Sequence, residues 1–273
     1  MQIDLNCDMG EWLAGSPSGH LPPEGPLKGS STAGARIQTA DADIMPFISS
    51  ANIACAMHAG NPLAMERTIC LAIRHGVAIG AHPGYPDPEG FGRRPMSLPP
   101  DELRASLLYQ IGALKGMTES LGGRMRHVKP HGALYNLAAS DDKTARLIAL
   151  TIKDIDPSLF FVGLAGSVME RAAREAGLAF VSEVFADRAY QDNGQLVPRT
   201  MKGSVLQDPG YMISRVIRMV TEGVVVSVGG KELSVDPGTI CIHGDNPSAP
   251  AFVQELSDRM KEAGVAIRPF GEA

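Results

Sequence analysis

One pattern recurs along the chain and limits its fold more than any other feature. A short apolar run is followed by a polar or glycine-containing exit and then by a segment with helical spacing. This alternation, with strands that are apolar almost throughout, is typical of a parallel sheet buried on both faces. Seven main strands are predicted, over residues 3–8, 50–55, 77–81, 126–130, 159–165, 179–185 and 239–242.

Seven β/α units in one chain favour a closed α/β architecture, a TIM-like (β/α)7 barrel. An open doubly wound sheet is the alternative, although the sequence lacks the Gly-x-Gly-x-x-Gly fingerprint that would support it. We expect one barrel domain over residues 1–273. Two segments depart from the pattern: a Gly/Pro/Ser-rich loop at 14–36, either a surface insertion or a lid, and a β-hairpin at 224–235.

Composition and charge exclude several classes of protein. The net charge of −5 predicts no broad basic surface and hence no nucleic-acid partner. No run of 18 apolar residues occurs, so we expect no membrane span. The first residues lack the basic and apolar regions of a signal peptide, and the four cysteines show no C-x-x-C spacing. A cytoplasmic protein with buried, reduced thiols is therefore expected.

Local signals mark several helix ends. Asn61 and Pro62 fit the N-cap and first position of a helix that Gly76 ends, and Ser140 can cap a later helix. The fourth strand, which starts at Arg126, is predicted to end at Pro130-His131-Gly132, which would place Lys129 and His131 on one side of it.

Polar side chains collect where the predicted strands end. In parallel α/β folds this edge is where ligands bind and catalysis occurs. Four of the seven histidines belong to this set, so a functional site is favoured over separate, satisfied core histidines. The set comprises Asn6, Asp8, Glu11, His58, His82, Lys129, His131, Glu183, Asp187, Arg188, His243 and Asp245.

These residue types suit several kinds of chemistry. Histidine with carboxylate allows acid–base catalysis near neutral pH, and lysine or arginine can neutralise a carboxylate or phosphate. Carboxylates with several histidines can also hold a divalent metal, but no compact ligand spacing such as His-Glu-x-x-His is present. No Gly-x-x-x-x-Gly-Lys-Ser/Thr loop occurs, so a nucleotide would bind unconventionally or on a partner. Cys7 and Cys55 are either nucleophiles or inert buried thiols.

Seven blocks of the sequence, in order, resemble the LamB/YcsF family. They are Asp4–Glu11, Ser50–Pro62, Gly80–Asp87, Gly90–Arg94, Val128–Asn136, Glu183–Tyr190 and Ile242–Asn246. The resemblance implies a barrel of the glycoside hydrolase/deacetylase superfamily. It also implies opening of the lactam 5-oxo-L-proline to L-glutamate with cleavage of ATP to ADP and phosphate. Subunits B and C of a 5-oxoprolinase are the implied partners.

The chain departs from the family pattern at Ala56, Met57 and Asn61, where the family usually has Gly, Phe and Asp. Asn61 keeps the capping oxygen but loses a charge. The segment after Glu11 is also longer and richer in glycine and proline than the family pattern.

Two alternatives to this reaction remain: a metal-dependent deacetylase or amidohydrolase, and a non-catalytic module that binds a small carboxylate. A divalent metal also remains possible.

Under the hypothesis of a lactam-opening enzyme, the strand-end residues divide into two groups. The expected catalytic residues are Asp8, His58, His131, Asp245 and Glu183. The expected substrate-binding residues are Asn6, Glu11, His82, Lys129, Arg188 and His243.

Overall fold

A computed structural model describes residues 1–11, 40–243 and 249–271. The predicted loop at 14–36 and Asp245 therefore lie outside the described residues. The strands are β1 (Gln2–Met9), β2 (Ser50–Ala54), β3 (Ala78–His82), β4 (Met125–Val128), β5 (Phe160–Leu164), β6 (Phe180–Phe185), β7 (Val224–Val226), β8 (Glu232–Ser234), β9 (Thr239–Ile242) and β10 (Ala266–Ile267). The helices are α1 (Ala40–Ile44), α2 (Pro62–His75), α3 (Pro100–Ser120), α4 (Gly132–Ala138), α5 (Asp142–Ile155), α6 (Val168–Ala176), α7 (Pro209–Glu222) and α8 (Ala249–Glu262).

Seven parallel strands close into a barrel, which confirms the predicted TIM-like fold. The strands follow the order β1-β2-β3-β4-β5-β6-β9, and β9 pairs again with β1. The closing register joins Asp4 to Thr239 and Cys7 to Ile242. The two-residue strand β10, which was not predicted, adds to β1 outside this closed ring. Closure brings the exits of all seven strands to one end of the molecule.

The core lies on both sides of the barrel wall. Consecutive residues of one strand are buried alike, as in Ile53 and Ala54 of β2 or Phe161 and Val162 of β5. Because successive strand side chains point to opposite faces, one set fills the barrel and the other packs against the helices. The nearly continuous apolar strands of the sequence follow from this double burial.

The predicted ends of α2 are confirmed. The side chain of Asn61 accepts a hydrogen bond from the backbone N–H of Ala64, and Pro62 occupies the first turn. Gly76 ends the helix in the left-handed conformation at φ 67°, which glycine adopts without strain. These local signals therefore specify the helix that follows the second barrel strand.

The connection after β4 differs from the prediction. The strand ends at Val128 and the short helix α4, which was not predicted, begins at Gly132. Ser140 does not cap α5, because Asp141 accepts the hydrogen bond from the backbone N–H of Thr144. A seven-residue helix is too short to show a clear period in the sequence.

An antiparallel hairpin of β7 and β8 connects α7 to the last barrel strand, with Val224 opposite Ser234. It occupies the segment in which the sequence places a hairpin around Gly229-Gly230. Among the described helices, none has both the length and the apolar composition needed to cross a bilayer.

Candidate active site

A cavity of about 700 Å³ opens at the carboxyl end of the barrel. Side chains from several strand exits form its wall, so the predicted gathering of distant polar residues at one mouth occurs in the fold. The predicted site residues that line the cavity are Asp8, Glu11, His82, Lys129, His131, Arg188 and His243.

Lys129 is at the centre of the cluster and is almost fully buried. Its Nζ lies 3.0 Å from Asp8 Oδ1 and 2.8 Å from Glu183 Oε1, with Asn6 Oδ1 at 3.3 Å and Cys241 Sγ at 3.0 Å. Burial alone would lower the pKa of Lys129, but the two carboxylates and the thiol outweigh it and hold the pKa well above its usual value. The lysine therefore neutralises buried carboxylates of two strands.

Asn52, which was not predicted, orients the carboxylate of Asp8. Its Nδ2 donates to Asp8 Oδ1 at 2.9 Å and to Asn6 Oδ1 at 2.7 Å, while its Oδ1 lies 2.8 Å from Nε2 of His127. His127 is fully buried and packs where Gly80 has no side chain, since a Cβ there would lie 2.0 Å from the ring. This network of hydrogen bonds holds the carboxylate of Asp8 in position at the base of the cavity.

Three imidazoles surround the carboxylate of Glu11. Its Oε1 lies 3.1 Å from His58 Nε2, 3.2 Å from His131 Nδ1 and 3.9 Å from His82 Nε2. Burial, with the neighbouring imidazole of His131, lowers the pKa of His58 to about 4, and burial also lowers the pKa of His131. Burial would raise the pKa of Glu11, but hydrogen bonds from His131 and His58 hold it well below its usual value. The cluster thus combines the neutral imidazoles of His58 and His131 with an ionised carboxylate near neutral pH.

His243 forms a separate acid–base pair with Asp187 at the cavity. Its Nδ1 lies 2.9 Å from both carboxylate oxygens of Asp187, and its Nε2 lies 3.1 Å from Nη2 of Arg199. Burial disfavours the imidazolium, but Asp187 outweighs it and raises the pKa of His243. The Nε2 atom of His243 also lies 3.9 Å from Asp8 Oδ2, so these two ionisable side chains lie close together.

Asp8 itself remains ionised. Burial would raise the pKa of this carboxyl, but His82, with Nε2 3.2 Å from Oδ2, and Lys129 hold the pKa well below its usual value. The site therefore presents fixed negative charge directly beneath the cavity.

Arg188 is buried and partly committed to the loop that carries it. Its Nε donates to the carbonyl of Ser204 at 3.3 Å and its Nη2 to that of Val197 at 2.6 Å. Burial and the neighbouring Arg199 lower its pKa to about 10, so the guanidinium stays charged at neutral pH. Together with Arg199, it gives the cavity wall a positive side.

Four predicted residues are not part of the cavity wall: Asp187, which contacts His243 from behind, and three others. Asn6, His58 and Glu183 lie one layer deeper, where they contact Lys129 or Glu11. Cys7 and Cys55 are buried as well, and burial raises the pKa of Cys55 to about 12, which favours inert thiols over nucleophiles.

Sequence reasoning missed Asn52, His127 and Arg199. The spacing of two between His127 and Lys129 was an available signal, because both residues then point to the same face of a strand. Arg199 lies in the long connection between β6 and α7, where no periodicity marks it.

The fold is a closed parallel β/α barrel, and a cluster of acids, histidines and a lysine lies at the carboxyl ends of its strands. Proteins of this class have their functional site at that end of the barrel. The chain belongs to the LamB/YcsF family, whose model matches residues 29–273. The resemblance seen in the sequence is therefore confirmed.

The chain is similar over its whole length to curated proteins that are named as the A subunit of 5-oxoprolinase. It is 44% identical over 271 residues, 99% of each chain, to the protein of this name from Syntrophobacter fumaroxidans. It is 46% identical over 270 residues, 99% of this chain and 100% of the relative, to that from Thermus thermophilus. The crystal structure of a lactam utilization protein from Thermus thermophilus matches with a TM-score of 0.84 and 45% identity, over 99% and 100% of the two chains.

Proposed function

We propose that this chain is the A subunit of an ATP-dependent 5-oxoprolinase, which opens 5-oxo-L-proline to L-glutamate while ATP is cleaved to ADP and phosphate. The observation that carries the proposal is the full-length similarity to relatives of that name. The cavity at the barrel mouth supports it, because the charged side chains in its wall suit a small substrate with one carboxylate and one amide. These relatives favour the lactam over the deacetylase and the non-catalytic alternatives.

The chemistry explains the need for ATP. A lactam amide is a poor electrophile, and phosphorylation of the ring carbonyl oxygen makes its carbon open to attack by water. Attack by water needs a proton acceptor, and expulsion of the ring nitrogen needs a proton donor. The product of this step is an acyl phosphate, which a second water hydrolyses to the carboxylate of glutamate and free phosphate. The sequence holds no phosphate loop of the Gly-x-x-x-x-Gly-Lys type, so we assign ATP handling to the assembly with subunits B and C.

The charges of the site suggest how the substrate is oriented. Lys129 is already balanced by Asp8 and Glu183, so it is a poor candidate for binding a further anion. Arg188 and Arg199 line the cavity, and the substrate carboxylate would bind there with the lactam directed toward Asp8. This revises the expected role of Lys129 from binding the substrate to holding the catalytic carboxylates.

Asp8 and His243 are the proposed acid–base residues. Asp8 is ionised and fixed by Asn52 and Lys129, so it can accept a proton from the attacking water. Arg199 donates to Nε2 of His243 in this structure, so His243, whose pKa is raised by Asp187, would supply a proton to the departing nitrogen only after Arg199 turns to the substrate carboxylate.

The test is 5-oxoproline turnover by the assembly of this chain with subunits B and C, measured as glutamate formed and phosphate released. Asp8→Asn keeps the size of the side chain but removes the charge, and we expect kcat to fall at least about 100-fold. Arg104→Ala, which removes an exposed ion pair with Asp154 on the outer helices, is the matched control and should retain full turnover. Full turnover by a correctly folded Asp8→Asn protein would contradict the assignment. No turnover by any wild-type assembly would contradict the proposed reaction.

A further inference from the structure

His82 and His131 contact each other directly through ring nitrogens at the cavity wall. Nδ1 of His131 lies 2.9 Å from Nε2 of His82, and the two rings meet edge to face. Both side chains are buried, so two bare lone pairs at this distance would repel each other without relief from water. A hydrogen bond forms there only if one of the two nitrogens carries a proton.

The other nitrogen of each ring needs a proton as well. His82 Nδ1 lies 2.7 Å from the carbonyl oxygen of Lys129, and His131 Nε2 lies 2.8 Å from that of Phe91. A carbonyl oxygen only accepts hydrogen bonds, so each of these nitrogens donates. The two carbonyl contacts and the contact between the rings thus require three protons. Two neutral imidazoles carry only two, so one of these rings is an imidazolium.

The carbonyl of Phe91 is fixed in its direction. The N–H of Gly92, which belongs to the same peptide unit, donates to the carbonyl of Asp87 at 2.9 Å. The C=O and N–H of one trans peptide point in opposite directions, so this bond keeps the Phe91 oxygen turned toward His131. Gly92 also packs against the rings, since a Cβ there would lie 2.8 Å from atoms of His58 and His131. The backbone therefore imposes the donor role on His131 Nε2.

The extra proton belongs on His82. Burial lowers the pKa of His131, which favours the neutral form of that ring. Nε2 of His82 also faces two carboxylates, with Asp8 Oδ2 at 3.2 Å and Glu11 Oε1 at 3.9 Å. A proton on this nitrogen is therefore attracted by His131 and by both acids.

The surrounding charges favour this proton. The titratable groups around His82 are Asp8, Glu11, His58, His127, Lys129 and His131. Asp8 and Glu11 are both ionised, and the ammonium of Lys129 is shared between Asp8 and Glu183. His58 adds no charge near neutral pH, because burial lowers its pKa to about 4. A cation at His82 thus balances negative charge that Lys129 leaves uncompensated.

A proton fits this cluster better than one shared metal ion. The rings of His58 and His131 are parallel to within 6°, with centroids 3.8 Å apart, so their in-plane lone pairs cannot meet at one ion. His82 Nε2 is also directed in part toward Asp8.

We propose that His82 is an imidazolium at neutral pH and that, as a positioning residue, it extends to lower pH the range in which Asp8 can accept a proton. The role toward Asp8 rests on the proposed function, whereas the charge of His82 does not. His131 and the carbonyls of Lys129 and Phe91 keep the proton in place.

The charge of His82 can be measured without any reaction. Long-range ¹H–¹⁵N spectra of the histidine rings, recorded at neutral pH on the full chain stripped with a chelator, distinguish an imidazolium from both neutral tautomers. We expect both nitrogens of His82 to be protonated and His131 to be neutral with its proton on Nε2. A neutral His82, or displacement of these signals by added Zn²⁺, would overturn the proposal.

The effect on Asp8 can be measured from the pH dependence of its carboxyl ¹³C signal. In His82→Gln the midpoint should lie at least about 1 pH unit higher than in the wild type, because an opposite charge this close lowers a carboxyl pKa by about 1–3 units. If the wild-type carboxyl stays ionised down to the pH of unfolding, that pH is the lower limit for the comparison. His75→Gln, which alters an exposed histidine at the end of α2, is the matched control and should leave the midpoint unchanged.

Turnover by the assembly gives a second reading of the same effect. The acid limb of kcat/KM for 5-oxo-L-proline should move to higher pH in His82→Gln, whereas a merely structural role would lower kcat/KM equally at every pH. An unmoved midpoint and acid limb in a folded variant, checked by circular dichroism, would overturn the role toward Asp8. If the variant does not fold, the ring spectra of the wild type still decide the charge of His82. Absence of turnover by the wild-type assembly would count against the proposed reaction and not against that charge.

Discussion

At the scale of single residues, Ala56 combines an unusual conformation with a departure from the family pattern. It has a φ of 63°, in the left-handed region that glycine adopts freely and alanine adopts only at a cost in energy. The resemblance to the family described above predicts glycine at this place, two residues before His58. The alanine therefore adds backbone strain of about 1–2 kcal/mol beside the site.

Replacing this alanine should stabilise the protein. Ala56→Gly relieves the strain, and the greater freedom of glycine in the unfolded chain offsets part of the gain. We expect the free energy of unfolding to rise by about 1 kcal/mol in urea denaturation. Ala105→Gly, at an exposed position within α3, is the control and should destabilise by about 1 kcal/mol. Equal destabilisation by both substitutions would show that no strain is present at Ala56.

At the scale of elements, Arg215 joins helix α7 to the exit of strand β6. Its Nη1 donates to the carbonyls of Phe185 and Ala186, each at 3.0 Å, and its Nη2 to that of Arg188 at 2.8 Å. The side chain is buried, so few water molecules could replace these bonds. One helix residue thus holds the segment that carries Arg188 into the cavity.

Arg215→Met should remove these bonds while keeping an unbranched apolar stem. Three carbonyls would lose their donor, and we expect the free energy of unfolding to fall by about 3 kcal/mol. Hydrogen exchange of the amides after β6 should accelerate because the strand exit is released. Arg218→Met is the control on the same helix. Its exposed ion pairs with Glu222 and Glu232 contribute little, so a change under about 1 kcal/mol is expected. Similar effects of both substitutions would contradict the proposed link.

The elements themselves were largely predictable from local sequence. Strands buried on both faces read as continuous apolar runs, and signals such as Asn61 and Gly76 mark helix ends directly. Helix α4 was not predictable in this way, because seven residues give too little periodicity. The expected cap at Ser140 failed because Asp141, the next residue, offers a competing carboxylate oxygen.

The location of the site was predictable from the sequence, but the contacts between its carboxylates and imidazoles were not. Each of His58, His82 and His131 lies at or just after the end of a strand, so barrel closure alone brings them to one mouth. Which carboxylate meets which imidazole depends on the strand register and on supports such as the Phe91 carbonyl. A carbonyl belongs to every residue, so no sequence pattern could single it out.

At the scale of the whole molecule, barrel closure buries a carboxyl group. Asp4 of β1 accepts hydrogen bonds from Ser49 and Ser50, each at 2.6 Å, and from the hydroxyl of Thr239 on β9. Burial raises its pKa from 3.8 to about 6, although the three hydroxyls oppose this and Glu183 adds to it. Compared with the unfolded chain, the folded protein thus favours the protonated form of Asp4, the residue that links the first and last barrel strands.

The stability of the barrel should therefore depend on pH at this position. Because the pKa of Asp4 is higher in the folded than in the unfolded state, folding favours proton uptake. The stabilisation is complete below pH 3.8 and is lost as the pH rises through about 6. The shift corresponds to a loss of about 3 kcal/mol by neutral pH.

Asp4→Asn isolates this contribution, because the amide cannot ionise and the three neighbouring hydroxyls can rotate to suit it. The measurement is the free energy of unfolding of both proteins in urea at several pH values. The difference between variant and wild type should rise by about 2 kcal/mol in favour of the variant from pH 4 to pH 7, since part of the full shift is already lost at pH 4. Taking the difference cancels the other titrating groups, and a constant offset reports only altered hydrogen bonds. A difference that stays constant with pH would show that folding does not raise the pKa of Asp4.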